Sequence, residues 1–426
     1  MDPQQGWWPE RAQTPVVEGE RCWYRPDNLL VDVDLEPALP DLLSGVGMAA
    51  QRQVPGRNDE WRLRSAGPGG GPDYGDLNAR LAATGAAQRL WVVTERSGEL
   101  HRAVAQLRSR GVGVYLNHVF VGEDWYHGGP ADEPVAAEGP GTPLPDTGPV
   151  DGRVHLAVLD TAPPTDWAQV HPDLIAEIVS WLPGLTIEHP RNEDGDGRLD
   201  AQAAHGLFIC GLARRVAPQI GAEVGVVLHS SGEGEEAHIA ATLAETTAPV
   251  VNLSLGGYTE DDAEPVALAS AVRQVRARGA VVVAAAGNSR QLDQTRGRRF
   301  WPAALADVVA VGAYEMSQGQ PALAGFSNDG QLYAPGVGLV SAYVTGWSDT
   351  RGCEFQGWAR WSGTSFAAPL VAAEIARRVA TTGETPEAGW LALKASLGPV
   401  AWPDGPAGLL YVPRDGAGQP LDLTRW

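Results

Sequence analysis

The chain has 426 residues and a formal net charge of −20, and Lys394 is its only lysine. That length exceeds one average domain and suits a large core with an appendage. An acidic chain without a basic patch excludes a role on nucleic acid or on an anionic membrane surface, and three cysteines, Cys22, Cys210 and Cys353, are too few for a disulfide scaffold.

The opening M-D-P-Q-Q-G-W-W-P-E has no basic segment followed by an apolar stretch, and no run of about 18 apolar residues follows. We therefore expect no signal peptide and no membrane span, and free thiols fit a reducing, cytoplasmic setting. Residues 1–25 are polar and Trp-rich. Residues 26–127 read as a small α+β unit, with strands at 28–35, 90–94 and 112–121 and an amphipathic helix at 99–110 stopped by Gly111. Residues 55–76 are rich in Gly and Pro and read as a loop, and the whole of 1–127 is taken as one N-terminal domain.

Residues 128–150 are a Pro/Gly/acidic linker and the clearest boundary in the chain. Across 151–400, apolar strands at 154–160, 223–229, 249–255, 280–286 and 307–313 are set among helices near 205–216, 236–247, 263–278, 365–380 and 386–396. That pattern predicts an α/β domain: a doubly wound, mostly parallel sheet with helices on both faces. Residues 401–426 read as a C-terminal extension over the surface. Sites in such sheets form at the carboxyl ends of strands, and Asp160, Ser254–Gly257 and Asn288 fall at or just past such ends.

The segment S-G-T-S-F-A-A-P, 362–369, puts Ser365 at the start of an apolar helical run, with Pro369 tolerated in the first turn. A helix N-terminus favours developing negative charge, but many ordinary helices also begin on a Ser cap. Three further segments bear on the choice: V-H-L-A-V-L-D-T ending on Asp160 and Thr161, H-G-L-F-I-C-G-L opening on His205, and V-V-V-A-A-A-G-N-S carrying Asn288. Together with V-V-N-L-S-L-G-G at 250–257, they resemble the subtilisin-like serine proteases, in which the same residue types occur in the order Asp, His, Asn, Ser.

The resemblance covers about residues 150–400. It implies a serine endopeptidase with Ser365 as nucleophile, His205 as general base, Asp160 as orienting acid and Asn288 as oxyanion donor. It implies that Ser254, Leu255, Gly256 and Gly257 pair with an extended polypeptide substrate by β-addition. Ala285, Ala286 and Gly287 would wall the primary pocket, with Tyr258 at one end. Two positions depart from the family pattern: Ala162 stands where Gly is usual, and Leu207 where Thr is usual.

No cofactor is required by this chemistry. Asp194, Asp196 and Asp200 in N-E-D-G-D-G-R-L-D stand at EF-hand-like positions, but the twelfth is Ala203, not glutamate. A solvated turn is the expected reading, with a weak structural calcium site as the alternative. The N-terminal domain resembles a subtilase prodomain in position and pattern. Autoinhibition by this domain and recruitment of one protein substrate both stay open. The rival to an enzyme is a pseudoprotease that uses the cleft as a peptide-binding module.

Overall fold

The computed structural model describes residues 17–18, 22–46, 48–51, 74–83, 85, 87–94, 100–122, 133–139, 153–164, 167–171, 178–182, 191–192, 196–292, 297–348, 352–403, 405–415 and 418–425. Among them, no helix is long and apolar enough to cross a membrane.

The N-terminal unit holds β1 (Val17–Glu18), β2 (Trp23–Asp32), α1 (Leu39–Ser44), β3 (Ala49–Gln51), α2 (Tyr74–Ala83), β4 (Gln88–Thr94), α3 (Leu100–Arg108) and β5 (Val114–Val121). Its antiparallel sheet runs β5-β2-β4-β3, with β1 against β2. Leu100, Val104 and Leu107 of α3 share a buried cluster with Leu29, Val31, Val114 and Leu116. This is the i, i+3, i+4, i+7 stripe legible in the sequence.

The second unit is an α/β domain. Its elements are β6 (Val135–Ala136), β7 (Val154–Thr161), α4 (Trp167–Val170), β8 (Ile178–Leu182), α5 (His205–Val216), β9 (Gly221–Leu228), β10 (Glu233–Glu235), α6 (Glu236–Glu245), β11 (Val250–Leu253), α7 (Val266–Ala277), β12 (Val281–Ala285), β13 (Val308–Ser317), β14 (Gln320–Leu323), β15 (Leu332–Pro335), β16 (Leu339–Ser348), β17 (Cys353–Trp361), α8 (Thr364–Thr382), α9 (Pro386–Ser396), β18 (Gly398–Ala401) and β19 (Ala407–Leu410). The sheet order is β18-β19-β15-β13-β12-β11-β7-β9-β8. All neighbours from β19 to β8 are parallel, and β18 and β14 are antiparallel additions.

The central strands read as continuous apolar runs because both faces are covered. Leu207, Phe208, Leu370 and Val371 belong to the cluster on one face, and Ile239, Leu243, Leu268 and Val272 to the cluster on the other. Helix α8 is buried from Thr364 to Ala376, so it is apolar all round rather than striped. Chain order diverges at β7, which lies between β9 and β11. That divergence opens a crevice at the strand carboxyl ends.

Two segments differ from the sequence reading. Within the 128–150 linker, Val135–Ala136 pairs antiparallel with β17. Past residue 400, β19 joins the main sheet beside β15, and Tyr411 and Leu423 are buried in its core.

The two units share surface. Leu30, Leu77, Leu81, Leu90 and Phe120 of the N-terminal unit belong to the buried cluster of α6 and α7. Strand β10 extends the N-terminal sheet by pairing antiparallel with β5. Cations of the first unit meet carboxylates of the second: Arg25 with Glu235 at 2.7 Å, Arg80 with Glu245 at 2.6 Å and Arg108 with Asp261 at 2.8 Å.

Candidate active site

Asp160 is the penultimate residue of β7, and its buried Oδ1 accepts from its neighbour's backbone, Thr161 N, at 2.7 Å and from His205 Nδ1 at 2.8 Å. A carboxylate held this way fixes the imidazole's tautomer, with the proton on Nδ1. His205 is the first residue of α5, reached through Ala204 at φ 66°. Gly206 permits the approach of helix to strand, since a Cβ there would lie 2.5 Å from Thr161 O. Thr161 Oγ1 accepts from Gly206 N at 3.0 Å, which ties the helix start to β7. Leu207 is fully buried in the core, so the departure at this position adds apolar packing behind His205. Ala162 is not among the residues of positive φ, so its Cβ carries no backbone strain.

The imidazole is walled by Trp361 and Phe366, each with its ring centroid 5.2 Å away. Cys210, one turn along α5, is buried. Burial and then the charge of Asp160 push its thiol up to about 12, so it packs as an apolar residue.

Ser365 lies in the first turn of α8 and is 1% exposed. Its carbonyl accepts from Ser254 Oγ at 2.6 Å, and Ser254 Oγ also accepts from Asn252 Nδ2 at 3.0 Å. Asn288, just past β12, accepts at Oδ1 from both Thr364 N and Thr364 Oγ1 at 2.9 Å. With its oxygen so engaged, the amide has its NH2 end as donor. Gly287 N donates to Thr364 Oγ1 at 3.0 Å. The four predicted residues Asp160, His205, Asn288 and Ser365 thus gather at the crevice beside β7.

Residues 254–257 form an edge that is already paired. Val121 and Gly256 exchange two backbone hydrogen bonds of 2.9 Å, and Gly257 and Trp301 exchange two more. The strand leaving the N-terminal unit therefore lies antiparallel on the predicted substrate strand. It continues to Gly122, whose carbonyl accepts from Ser365 Oγ at 2.7 Å. A Cβ on Gly122 would lie 3.4 Å from His205 Cε1. The hydroxyl and the imidazole thus meet the chain's own backbone where a bound peptide would run. Composition gives no signal for this contact.

Of the three predicted wall residues, Ala286 alone lines a cleft of about 670 Å³, with Ser289, Arg290, Arg298, Arg299, Phe300 and Asp329 among others. Tyr258 Oη hydrogen-bonds Ser289 Oγ, and the ring packs edge-on to Phe300 at 5.4 Å. Arg290 pairs with Asp329 at 2.5 Å, Arg298 lies 4.6 Å over the Tyr258 ring, and Arg299 lies 5.8 Å over Trp301. Sequence reading missed these arginines because only the fold collects them.

Of the three aspartates of the acidic turn, two fall among the described residues. Asp194 lies outside them. Asp196 caps Arg198 N at 2.7 Å, and Asp200 accepts from Ser230 Oγ.

The model of the subtilase family matches residues 152–396. Subtilisin Savinase of Lederbergia lenta is 32% identical over 237 residues, 52% of this chain and 75% of that protein. An alkaline protease of Alkalihalobacillus alcalophilus is 32% identical over 237 residues, and the match spans about half of that protein, 53%. Among solved structures, fervidolysin from Fervidobacterium pennivorans, a keratinolytic enzyme related to subtilisin, superposes with a TM-score of 0.56. It is 16% identical, and the match covers 90% of this chain and 61% of that one. At that identity the likeness is one of fold.

Proposed function

Because the chain belongs to the subtilase family of serine endopeptidases, we propose that Ser365, His205, Asp160 and Asn288 hydrolyse peptide bonds here and that residues 119–122 hold the cleft closed. The observation that carries the reading is Ser365 Oγ bonded to a backbone carbonyl that lies beside His205, itself 2.8 Å from Asp160.

In this mechanism His205 Nε2 takes the Ser365 proton as Oγ attacks the substrate carbonyl carbon. Asp160 stabilises the imidazolium. The tetrahedral oxyanion accepts from the Asn288 amide and from Ser365 N–H, at the N-terminal end of α8. The amine leaves with the proton from His205, and water then repeats the sequence on the acyl-enzyme. Asn288→Ala should lower kcat by roughly 10²–10³ with KM little changed, because an oxyanion donor acts only in the transition state. Steady-state kinetics on a peptide substrate check this, and a change confined to KM would contradict it.

We propose further that the cleft beside Ala286 takes an acidic side chain of the substrate on the acyl side of the cut. Its lining holds Arg290, Arg298 and Arg299 with one carboxylate, Asp329, which is paired with Arg290; Arg298 donates to Thr259 O at 2.6 Å. One charge-assisted hydrogen bond of about 1.5–3 kcal/mol would favour Glu over Leu or Lys by roughly 10–100-fold in kcat/KM. A peptide panel varied at that position tests it, and Arg298→Gln should narrow the ratio. Equal rates across the panel, or preference for Lys, would overturn this specificity.

A further inference from the structure

His118 on β5 stands between two carboxylates of the second unit. Its Nδ1 meets Glu236 Oε2 at 2.8 Å and its Nε2 meets Glu260 Oε2 at 2.9 Å. Cys22 lies on the same spot. The ligand atoms of Cys22, His118 and Glu260 all fall within 4.8 Å of one another, the only such group of three or more His, Cys, Asp or Glu side chains among the described residues.

We propose that Cys22 Sγ, His118 Nε2 and Glu260 Oε2 bind a zinc ion that joins the N-terminal unit to the peptidase domain. A thiolate, an imidazole and a carboxylate are a donor set that suits zinc and does not suit calcium or magnesium. Zinc bond lengths at tetrahedral angles put such donors about 3.3–3.6 Å apart, so the His118–Glu260 contact opens by about half an ångström on binding. The imidazole is already oriented for the task, because a metal-ligating His donates its second nitrogen to a carboxylate. Glu236 provides that carboxylate and is itself fixed, accepting from Ala267 N at 2.8 Å at the start of α7.

Zinc binds the thiolate and the neutral imidazole, so coordination releases the Cys22 thiol proton and the His118 Nε2 proton to solvent. The ion would bridge residues from both sides of the interface and resist their separation. The site involves none of the groups around Ser365, so its test is independent of the proposed hydrolysis.

The test uses the full chain carrying Ser365→Ala, which keeps the two units joined, with zinc as the probe. We expect one zinc per chain to be retained after gel filtration and to raise the unfolding temperature. Cobalt in its place should give a thiolate-to-metal charge-transfer band. Cys22→Ala should abolish the band and weaken zinc binding by at least about 100-fold, while Cys353→Ala should change neither. Circular dichroism checks that Cys22→Ala is folded, and Glu260→Gln repeats the test if it is not. No retained zinc in the reduced parent chain would overturn the proposal, as would equal uptake by folded Cys22→Ala and Glu260→Gln chains.

Discussion

Replacing Ser365 with Ala should reduce peptide hydrolysis by about 10⁶-fold, to the level that cleft binding alone supports. In the proposed mechanism this hydroxyl forms the acyl-enzyme. Its removal leaves the Asp160–His205 pair at 2.8 Å with nothing to deprotonate. The fold should be unchanged, because Ser365 Oγ bonds one backbone carbonyl, that of Gly122, and Ala keeps the helical start of α8. Replacing His205 with Ala should cost a similar factor, and the double variant no more than either alone, since the groups act as one unit. Hydrolysis of a fluorogenic peptide, with thermal unfolding as the control, checks all three. A Ser365→Ala chain that keeps more than a hundredth of the activity would contradict the assignment.

The second large effect concerns residues 119–122, the segment proposed to close the cleft. Phe120 is fully buried, and it shares the cluster of α6 and α7 with Leu255 and Trp301. Cutting it to Ala costs about 3–5 kcal/mol. Where that cost falls on the closed state alone, the open fraction rises by roughly 10²–10³. Val121→Pro removes the donor of the 2.9 Å bond to Gly256 O and should act in the same direction. The expected result is that intact, uncut Phe120→Ala chain reacts with a small fluorophosphonate at least about 100-fold faster than the intact parent. Equal rates in parent and variant would mean that residues 119–122 do not limit access, and would shift the role of the N-terminal unit toward recruitment.

Why the candidate site was legible and the pairing of residues 119–122 against it was not follows from where each signal lies. Strands β7 and β12 are buried on both faces, so their sequences are mostly apolar and their ends are marked by polar or glycine residues. Helices at His205 and Thr364 open on small residues that permit close packing. The expected bounds for α5 and α9 match the structure at both ends, and α7 is shorter at each end than expected. Strand β10, Glu-Gly-Glu, carries no strand propensity and exists only because β5 pairs with it. The pair Val135–Ala136 depends likewise on β17. Gly122 and the arginines of the cleft are ordinary surface residues by type, and their placement comes from tertiary contacts that no local pattern encodes. Hairpin β16–β17 does alternate over Cys353–Trp361, and its period was readable, although it lies outside the motifs that point to the site.

The most direct measurement is intact mass of the full chain after incubation with a fluorophosphonate, followed by peptide mapping. The account predicts one adduct, mapped to Ser365, formed slowly on the parent, faster on Phe120→Ala, and absent from Ser365→Ala. A folded Phe120→Ala chain that takes up no label, or label that maps elsewhere, would contradict an assembled triad and leave the cleft a peptide-binding surface without chemistry.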